Sequence, residues 1–180
     1  MNGMLFEQCK IVPGFQDQTG AAITSDWVSL KNYQRALILV HEMRGADATG
    51  MAYRVNKARA VAGTNESNGI TTFKEWTVAD VASNTGDIGA TAAATVGDTD
   101  TWVAVTPAAS ITGSTTQSKG QWYAIEVNAN DLPDTTYQDY DCIQFEITAH
   151  NAAHYVSCWF VLYEARYAGV GANNPTAITD

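Results

Sequence analysis

Basic residues are scarce in this sequence, and most of them lie in its first part. The chain contains 10 Lys+Arg against 19 Asp+Glu, for a net charge of −9. Residues 75–180 carry −11 and contain only Lys119 and Arg166 as cations, whereas residues 1–74 carry +2. Because an acidic surface of this size repels a phosphate backbone, we expect no nucleic-acid partner.

Long apolar runs and closely spaced cysteines are also missing. No stretch approaches the roughly 18 apolar residues of a membrane span, and the first residues lack the basic and apolar regions of a signal peptide. We therefore expect neither a membrane partner nor secretion. Cys9, Cys142 and Cys158 are odd in number and far apart, which indicates neither a disulfide framework nor a C-x-x-C metal site. Cys158, inside "HYVSCWFVLY", is expected to be a small buried apolar residue.

The sequence does contain repeated alternation of apolar and polar residues, which is typical of half-buried strands. In "CIQFEITA" (142–149) the residues Ile143, Phe145 and Ile147 share one face, and "QWYAIEV" (121–127) alternates in the same way. "TWVAV" and "YVSCWFVLY" are continuous apolar runs, as expected for strands covered on both faces. The predicted strands are 9–12, 27–31, 36–43, 51–55, 73–78, 101–105, 121–127, 142–149 and 155–163.

This pattern predicts an all-β fold, an antiparallel β-sandwich of jelly-roll type with about eight strands. The one helical expectation is "NKARAVAG" (56–63), an alanine-rich run that ends at a glycine. We expect an N-terminal arm at 1–26, a sandwich domain at 27–168 and a C-terminal tail at 169–180. Residues 79–100 are small, polar and rich in glycine, which predicts a long loop.

"ALILVHEMRG" (36–45) places His41 directly beside Glu42 at the end of an apolar run. Neighbours in a strand point to opposite faces, so these two side chains cannot act together on one substrate. We expect them to mark the point where a buried strand leaves the core. "RGAD" (44–47) departs from the integrin-binding tripeptide by one inserted alanine, and a turn is the better interpretation.

"HNAAH" places His150 and His154 at the spacing of two metal ligands on a helix. The glutamate of the H-E-x-x-H motif is absent, and the stretch lies between two predicted strands. A hairpin loop is therefore the better interpretation, and we predict no metal site and no cofactor.

Acidic residues in two loops suggest calcium, but the spacing of a calcium-binding loop is absent and aspartate is common in turns. A carboxylate pair for glycoside hydrolysis is conceivable, but nothing singles out a pair. No nucleophile motif or phosphate-binding loop is present, so we predict no catalytic residue. The acidic positions considered are Asp98, Asp100, Asp131, Asp134, Asp139 and Asp141.

Five tryptophans could provide a surface for stacking sugars. Trp102, Trp122 and Trp159 lie in strand patterns, where packing in the core is the more common outcome. Trp27 and Trp76 are the more open candidates for such a surface.

The order of segments along the chain resembles small structural proteins of tailed-phage virions. The resemblance rests on "SLKNYQRALILVHEM", "GMAYRV", "TTFKEWTV", "IEVNANDLPDTTYQDYDCIQFEITA" and "WFVLYEARYAG", and spans about residues 25–168. It implies a non-enzymatic cement or decoration protein on the outer capsid surface, made in the cytoplasm of the bacterial host.

The partners that this resemblance implies are the major capsid protein and further copies of the chain in a homotrimer. Proteins of this kind are often jelly-roll-like, and the family provides no catalytic residues to assign here. The alternatives are a neck, tail or fibre-base component and a carbohydrate-binding module, with a glycan hydrolase as a third.

Overall fold

A computed structural model describes residues 9–19, 22–43, 51–70, 73–78, 102–106, 108–112, 121–149, 151 and 154–166, with only the backbone described at 73–78, 102–105 and 121. The strands are β1 (Cys9–Gln18), β2 (Ile23–Thr24), β3 (Val28–Ser29), β4 (Tyr33–Met43), β5 (Ala52–Ala58), β6 (Phe73–Val78), β7 (Trp102–Val105), β8 (Ile111–Thr112), β9 (Gln121–Asn128), β10 (Cys142–Ala149) and β11 (Tyr155–Ala165). A short 3₁₀ turn covers Ala129–Asp131. In the described ranges no helix has the length and apolar character needed to cross a membrane.

The strands form two antiparallel sheets. The larger has six strands in the order β1-β11-β4-β9-β6-β7. The smaller has the order β2-β10-β5-β8, and β3 pairs with β10 beside it. This confirms the predicted all-β antiparallel sandwich.

The pairing of the strands explains the jelly-roll character. β1 pairs with β11, β2 with β10, β4 with β9 and β5 with β8. These four pairs nest inside one another like a single long hairpin, and rolling that hairpin distributes the pairs alternately between two sheets. The β6–β7 hairpin then extends the larger sheet beyond β9.

The core lies between the two sheets and is rich in aromatic side chains. Tyr53 of β5 packs against Phe145 of β10 and Tyr123 of β9, with ring centroids 5.7 and 5.1 Å apart. Ile143, Phe145 and Ile147 are all fully buried, so the predicted core face of β10 is confirmed. Burial of such side chains contributes about 1.5–3 kcal/mol each.

The first strand is longer than the sequence predicts. A strand at 9–12 was expected to end at Pro13–Gly14, but β1 continues to Gln18 with irregular register after Pro13 and again after Phe15. β1 is an edge strand, where a proline without an N–H donor is tolerated and bulges are common. The sandwich therefore includes residues from Cys9 onward, and the described part of the expected 1–26 arm belongs largely to the sheets.

The predicted helix at 56–63 is wrong. Asn56, Lys57 and Ala58 end β5, and Lys57 forms a β-bridge with Ser67. Beyond them the chain turns, and Gly63 ends the turn with a φ of 72°, a left-handed conformation that suits glycine. Cross-strand contacts therefore override the helical propensity of the alanines. The predicted loop at 79–100 and the tail at 169–180 lie outside the described residues.

Candidate functional site

Glu42 lies on the core side of β4, contrary to the expectation that the strand leaves the core at this point. Its side chain has no exposed surface, whereas His41 lies on the opposite, outer face. The two neighbours are thus separated by the sheet, as the alternation of a strand requires.

The partners of Glu42 come from distant parts of the chain. The Tyr123 hydroxyl on β9 donates to Glu42 Oε2 at 3.1 Å, and His154 Nδ1 lies 3.4 Å from Glu42 Oε1. His154 is itself fully buried just before β11, where its backbone N–H donates to the Asn151 carbonyl at 2.9 Å. The cluster therefore ties β4, β9 and the start of β11 together at one end of the sandwich.

This Glu42–Tyr123–His154 cluster is enclosed inside the sandwich. Catalysis by an acid or base requires that its side chain reach a reacting group, and both Glu42 and His154 are completely enclosed. The sequence could not reveal the cluster, since Glu42 and His154 are separated by 112 positions and only the rolled sheets bring them together.

The other half of the histidine motif, His150, lies outside the described residues. Of the pair, only His154 can be placed, and its Nδ1 faces Glu42. Among the residues with described side chains, no group of three or more His, Cys, Asp or Glu could hold a metal ion.

The acidic loop between β9 and β10 uses its carboxylates on the chain's own cations. Asp134 Oδ2 accepts from Lys57 Nζ at 2.8 Å, and Asp134 Oδ1 accepts from the backbone N–H groups of Thr136 and Tyr137. These contacts, chiefly the hydrogen bond from Lys57, lower the pKa of Asp134 to about 2. Lys57 also donates to the Leu132 carbonyl at 2.7 Å.

Arg59, two residues after Lys57, also contacts an aspartate of this loop. Its Nε donates to Asp139 Oδ2 at 2.7 Å, and this hydrogen bond is the main reason that the pKa of Asp139 lies below its ordinary value. The guanidinium also lies 5.0 Å from the ring centre of Tyr137. These contacts link the loop to the end of β5 and the residue that follows it. The other acidic candidates considered for calcium, Asp98 and Asp100, lie outside the described residues.

Another ion pair, Arg54–Glu146, lies on the outer face of the smaller sheet. Arg54 Nε and Nη2 donate to the two oxygens of Glu146 at 2.7 and 2.9 Å, and Asn56 Nδ2 donates to Glu146 at 2.6 Å. Burial alone would raise the pKa of Glu146, but these hydrogen bonds outweigh it and the pKa lies below its ordinary value. The carboxylate is therefore held by two partners on the neighbouring strand.

The three cysteines are free thiols and all are buried. Burial raises the pKa of Cys142 to about 12 and also raises the pKa of Cys158. A buried thiol with a raised pKa is a poor nucleophile, and Cys158 is the small apolar core residue that the sequence predicts.

The most distinctive surface is the outer side of the larger sheet, which is apolar over four strands. The large hydrophobic side chains that the structure shows as exposed are Ile11, Met43 and Tyr155, at 43, 54 and 52%. Strand register places all three on this one side. We call this surface the outer apolar face; its members are Ile11, Leu37, Leu39, Met43, Trp122, Ala124, Tyr155, Trp159 and Val161.

Register arranges these side chains in four rows across the sheet. Tyr155 pairs with Met43 at one end, and Trp122 follows beside His41 on the next row. The remaining rows are Trp159–Leu39–Ala124 and Ile11–Val161–Leu37. An antiparallel sheet in a sandwich normally turns polar residues to solvent on this side, so an apolar outer side needs a separate explanation.

Aromatic rings form a stacked series within the outer apolar face. The His41 ring stacks on Trp122 at 4.5 Å between centroids, and Trp122 lies 6.4 Å from Trp159. The expectation that Trp122 and Trp159 pack in the core is therefore wrong, because both rings are half-buried on the outer side of the sheet. Trp27 is half-buried against Gly63, and the side chains of Trp76 and Trp102 lie outside what is described.

Among the residues described, charged groups border this face at two places. One is Arg35 with Glu126 and Glu164 at the Leu37 row, and the other is Asp17 of β1, which accepts from Ser157 Oγ beside the His41 row. Arg35 Nη1 lies 2.9 Å from Glu126 Oε1, and Arg35 Nε lies 3.3 Å from Glu164 Oε2. The cation is thus shared by two carboxylates. Glu126 pairs with Leu37 and ends that row on β9, whereas the rows of Leu39, His41 and Met43 contain no carboxylate among their described side chains on β4, β9 and β11.

An open depression of ≈ 330 Å³ lies near the 3₁₀ turn and the acidic loop. Lys31 and Arg166 line it together with Asp139 and Asp141, so cations and carboxylates alternate around it. Because both signs of charge line the depression, it favours neither an anionic nor a cationic ligand.

Comparison of the chain with protein-family models, with curated proteins and with solved structures found no match.

Proposed function

We propose that this chain is a non-enzymatic structural protein of a tailed-phage virion, a cement or decoration protein that binds the outside of the capsid and bridges capsid subunits. The observation that carries the proposal is the outer apolar face, with its three exposed large hydrophobic side chains. A surface of this kind is typical of protein–protein contact.

Two further features support an assembly role. The jelly-roll sandwich agrees with the fold that the virion resemblance implies. The polar clusters with described partners, around Glu42, Asp134 and Glu146, link strands and loops of the fold to one another. Binding energy would then come from buried apolar area and not from a single chemical site.

The proposal is tested by mixing the full chain with empty expanded shells of the phage that encodes it and sedimenting the shells. We expect saturable co-sedimentation and shells that resist heating better with the chain bound, because a ligand of the assembled state stabilises that state. A jelly-roll protein of similar net charge from an unrelated source is the control. Shells that neither retain the chain nor gain heat resistance would reject the cement role.

A neck, tail or fibre-base position is the alternative within the same structural class. Gold-labelled antibody against the chain, viewed on intact virions by electron microscopy, distinguishes the two. Label spread over the capsid supports the cement role, and label confined to the portal vertex or tail supports the alternative. The major capsid protein and a homotrimeric state remain the predicted partners on this proposal.

A carbohydrate-binding module is favoured by one observation, the series His41–Trp122–Trp159 on an open sheet face. Sugar rings bind to exposed faces of aromatic side chains, but His41 already covers one face of Trp122. A glycan-binding screen with the chain, repeated with Trp159→Ala, tests this role. Binding that is lost with Trp159→Ala would support it, and the absence of binding would reject it.

A further inference from the structure

We infer that the outer apolar face is a self-association surface, which packs against the same face of a second copy of this chain about a two-fold axis. The inference assigns the outer apolar face to a second copy of the chain in a two-fold pair, whereas the capsid proposal assigns the same face to capsid subunits and expects a homotrimer. The inference depends on the composition and position of this face, and it holds whether or not the chain binds a shell.

The outer apolar face is large enough to form the centre of a protein–protein interface. Side chains on one side of a strand repeat about every 6.8 Å and strands lie about 4.8 Å apart, so four rows on four strands cover roughly 20 by 15 Å, or about 300 Å². A patch of that size is comparable to the largest on an ordinary monomer. It is large enough to form the apolar centre of a standard interface of about 800 Å² per partner, with a polar rim around it.

A second copy of this chain is the partner that the outer apolar face fits. In the described part of the chain, every exposed large hydrophobic side chain lies on this one face. A head-to-tail contact would need a second, complementary apolar surface elsewhere on the same molecule. A two-fold contact needs only one surface, and it covers Ile11, Met43 and Tyr155 of both copies at once. Two sheets packed face to face in this way resemble the inside of a sandwich.

The negative charge of the chain restricts where two copies can meet. Two copies with a net charge of −9 each repel one another, so they can meet only where carboxylates are absent or neutralised. The described side chains in the rows of Leu39 and Met43 meet this condition. Glu126, which ends the Leu37 row, and Glu164 both contact Arg35, and Asp17 lies on the edge strand β1 beside Ser157. The outer face of the smaller sheet differs, since exposed threonines and the Arg54–Glu146 pair cover it.

The test compares two triple variants that add the same charge to opposite sides of the sandwich. The first variant replaces the exposed members of the face, as Ile11→Lys, Met43→Lys and Tyr155→Lys. The matched control replaces exposed threonines of the smaller sheet, as Thr24→Lys, Thr112→Lys and Thr148→Lys. Masses are measured by sedimentation from about 1 to about 100 µM, a range that brackets micromolar dissociation constants.

We expect the unmodified chain and the control to show a mass near twice 19.3 kDa, and the face variant to dissociate at least about 100-fold more readily. The single variant Tyr155→Ser, which removes apolar area from an exposed position without adding charge, should also weaken the pair. Circular dichroism establishes that each variant keeps its β-sheet content.

Three results would overturn the inference. These are a monomer over the whole concentration range, a mass of three copies, and a dimer that the face variant does not weaken. A dimer that dissociates in the face variant but ignores capsid shells would support the inference while rejecting the cement role. A mass of three copies would overturn this inference and agree with the homotrimer of the capsid proposal, so the two proposals fail under different results.

Discussion

Replacing Tyr123 by Phe isolates one hydrogen bond of the buried cluster. The hydroxyl donates to Glu42 Oε2 at 3.1 Å, and the ring packs edge-on against Tyr53 at 5.1 Å. Phenylalanine keeps the ring contact and removes only the hydroxyl. The carboxyl of Glu42 then loses a donor in a position that water does not reach, since Glu42 has no exposed surface.

The expected cost follows from the burial of both partners. A hydrogen bond contributes about 0.5–1.5 kcal/mol to stability when both partners are neutral and about 1.5–3 kcal/mol when one is charged, with a further penalty if a buried acceptor is left without a partner. We therefore expect Tyr123→Phe to lower the free energy of unfolding by about 1–3 kcal/mol. With a urea m-value near 2 kcal/mol/M, the midpoint moves down by about 0.5–1.5 M.

The assay is urea unfolding followed by circular dichroism at one fixed protein concentration, so that self-association does not alter the comparison. Glu42→Gln and the double variant complete a double-mutant cycle. Residues in direct contact couple by about 0.5–3 kcal/mol, so the double variant should cost less than the sum of the two single ones.

Tyr140→Phe is the matched control for this cycle. The substitution removes a hydroxyl that donates to the Asn65 carbonyl. Tyr140 precedes β10 and His154 follows that strand, so Tyr140 lies at the opposite end of the sandwich from the cluster. Its effect should add to that of Glu42→Gln without coupling. A cost below about 0.5 kcal/mol for Tyr123→Phe, or strict additivity with Glu42→Gln, would refute the proposed contribution of the cluster.

Three further changes test the core, a tight turn and an ion pair. Phe145→Ala should lower the free energy of unfolding by about 3–5 kcal/mol in urea titration, since it empties a fully buried position between the sheets; a loss under about 1 kcal/mol would contradict its place in the core. Gly69→Ala should cost at least about 2 kcal/mol in the same titration, because its φ is 69° and the added Cβ would lie 2.3 Å from the Ala109 carbonyl oxygen; a neutral result would show that this turn adopts another conformation. Asp134 has its pKa lowered from 3.8 to about 2, so its contribution to stability is complete above pH 4 and is lost as the pH falls towards 2. Asp134→Asn should therefore be less stable than the unmodified chain at pH 6 and differ little from it at pH 2, and a difference that is independent of pH would contradict the Lys57 contact.

The local pattern predicted most of the strands because, in strands such as β10, the residues that alternate as apolar in the sequence are also the ones that are buried. Ile143, Phe145 and Ile147 are apolar at every second position, and the core takes up that face. Tyr123 and Ile125 follow the same rule on β9. Where one face is apolar and the other polar, only one register buries the apolar face, so the pattern determines both the conformation and the orientation.

The helical expectation at 56–63 failed because its propensity was weak compared with contacts made at a distance. Lys57 donates to Leu132 and Asp134, and Asn56 donates to Glu146, all of them more than 70 residues further along the chain. Propensity differences of a few tenths of a kcal/mol per residue are small beside such contacts. A single sequence contains no record of which distant partners its polar residues will meet.

The sequence by itself determined the all-β class, the positions of most strands and the core face of β10, because these depend on alternation between adjacent residues. Only the tertiary structure decided that Glu42 stays buried beside Tyr123 and His154 and that Trp122 and Trp159 face outward. In β11 both faces are apolar, so alternation cannot tell the inside from the outside. That choice depends on the nested pairing that rolls β1 against β11 and β4 against β9, and these pairings join residues that are far apart in the sequence.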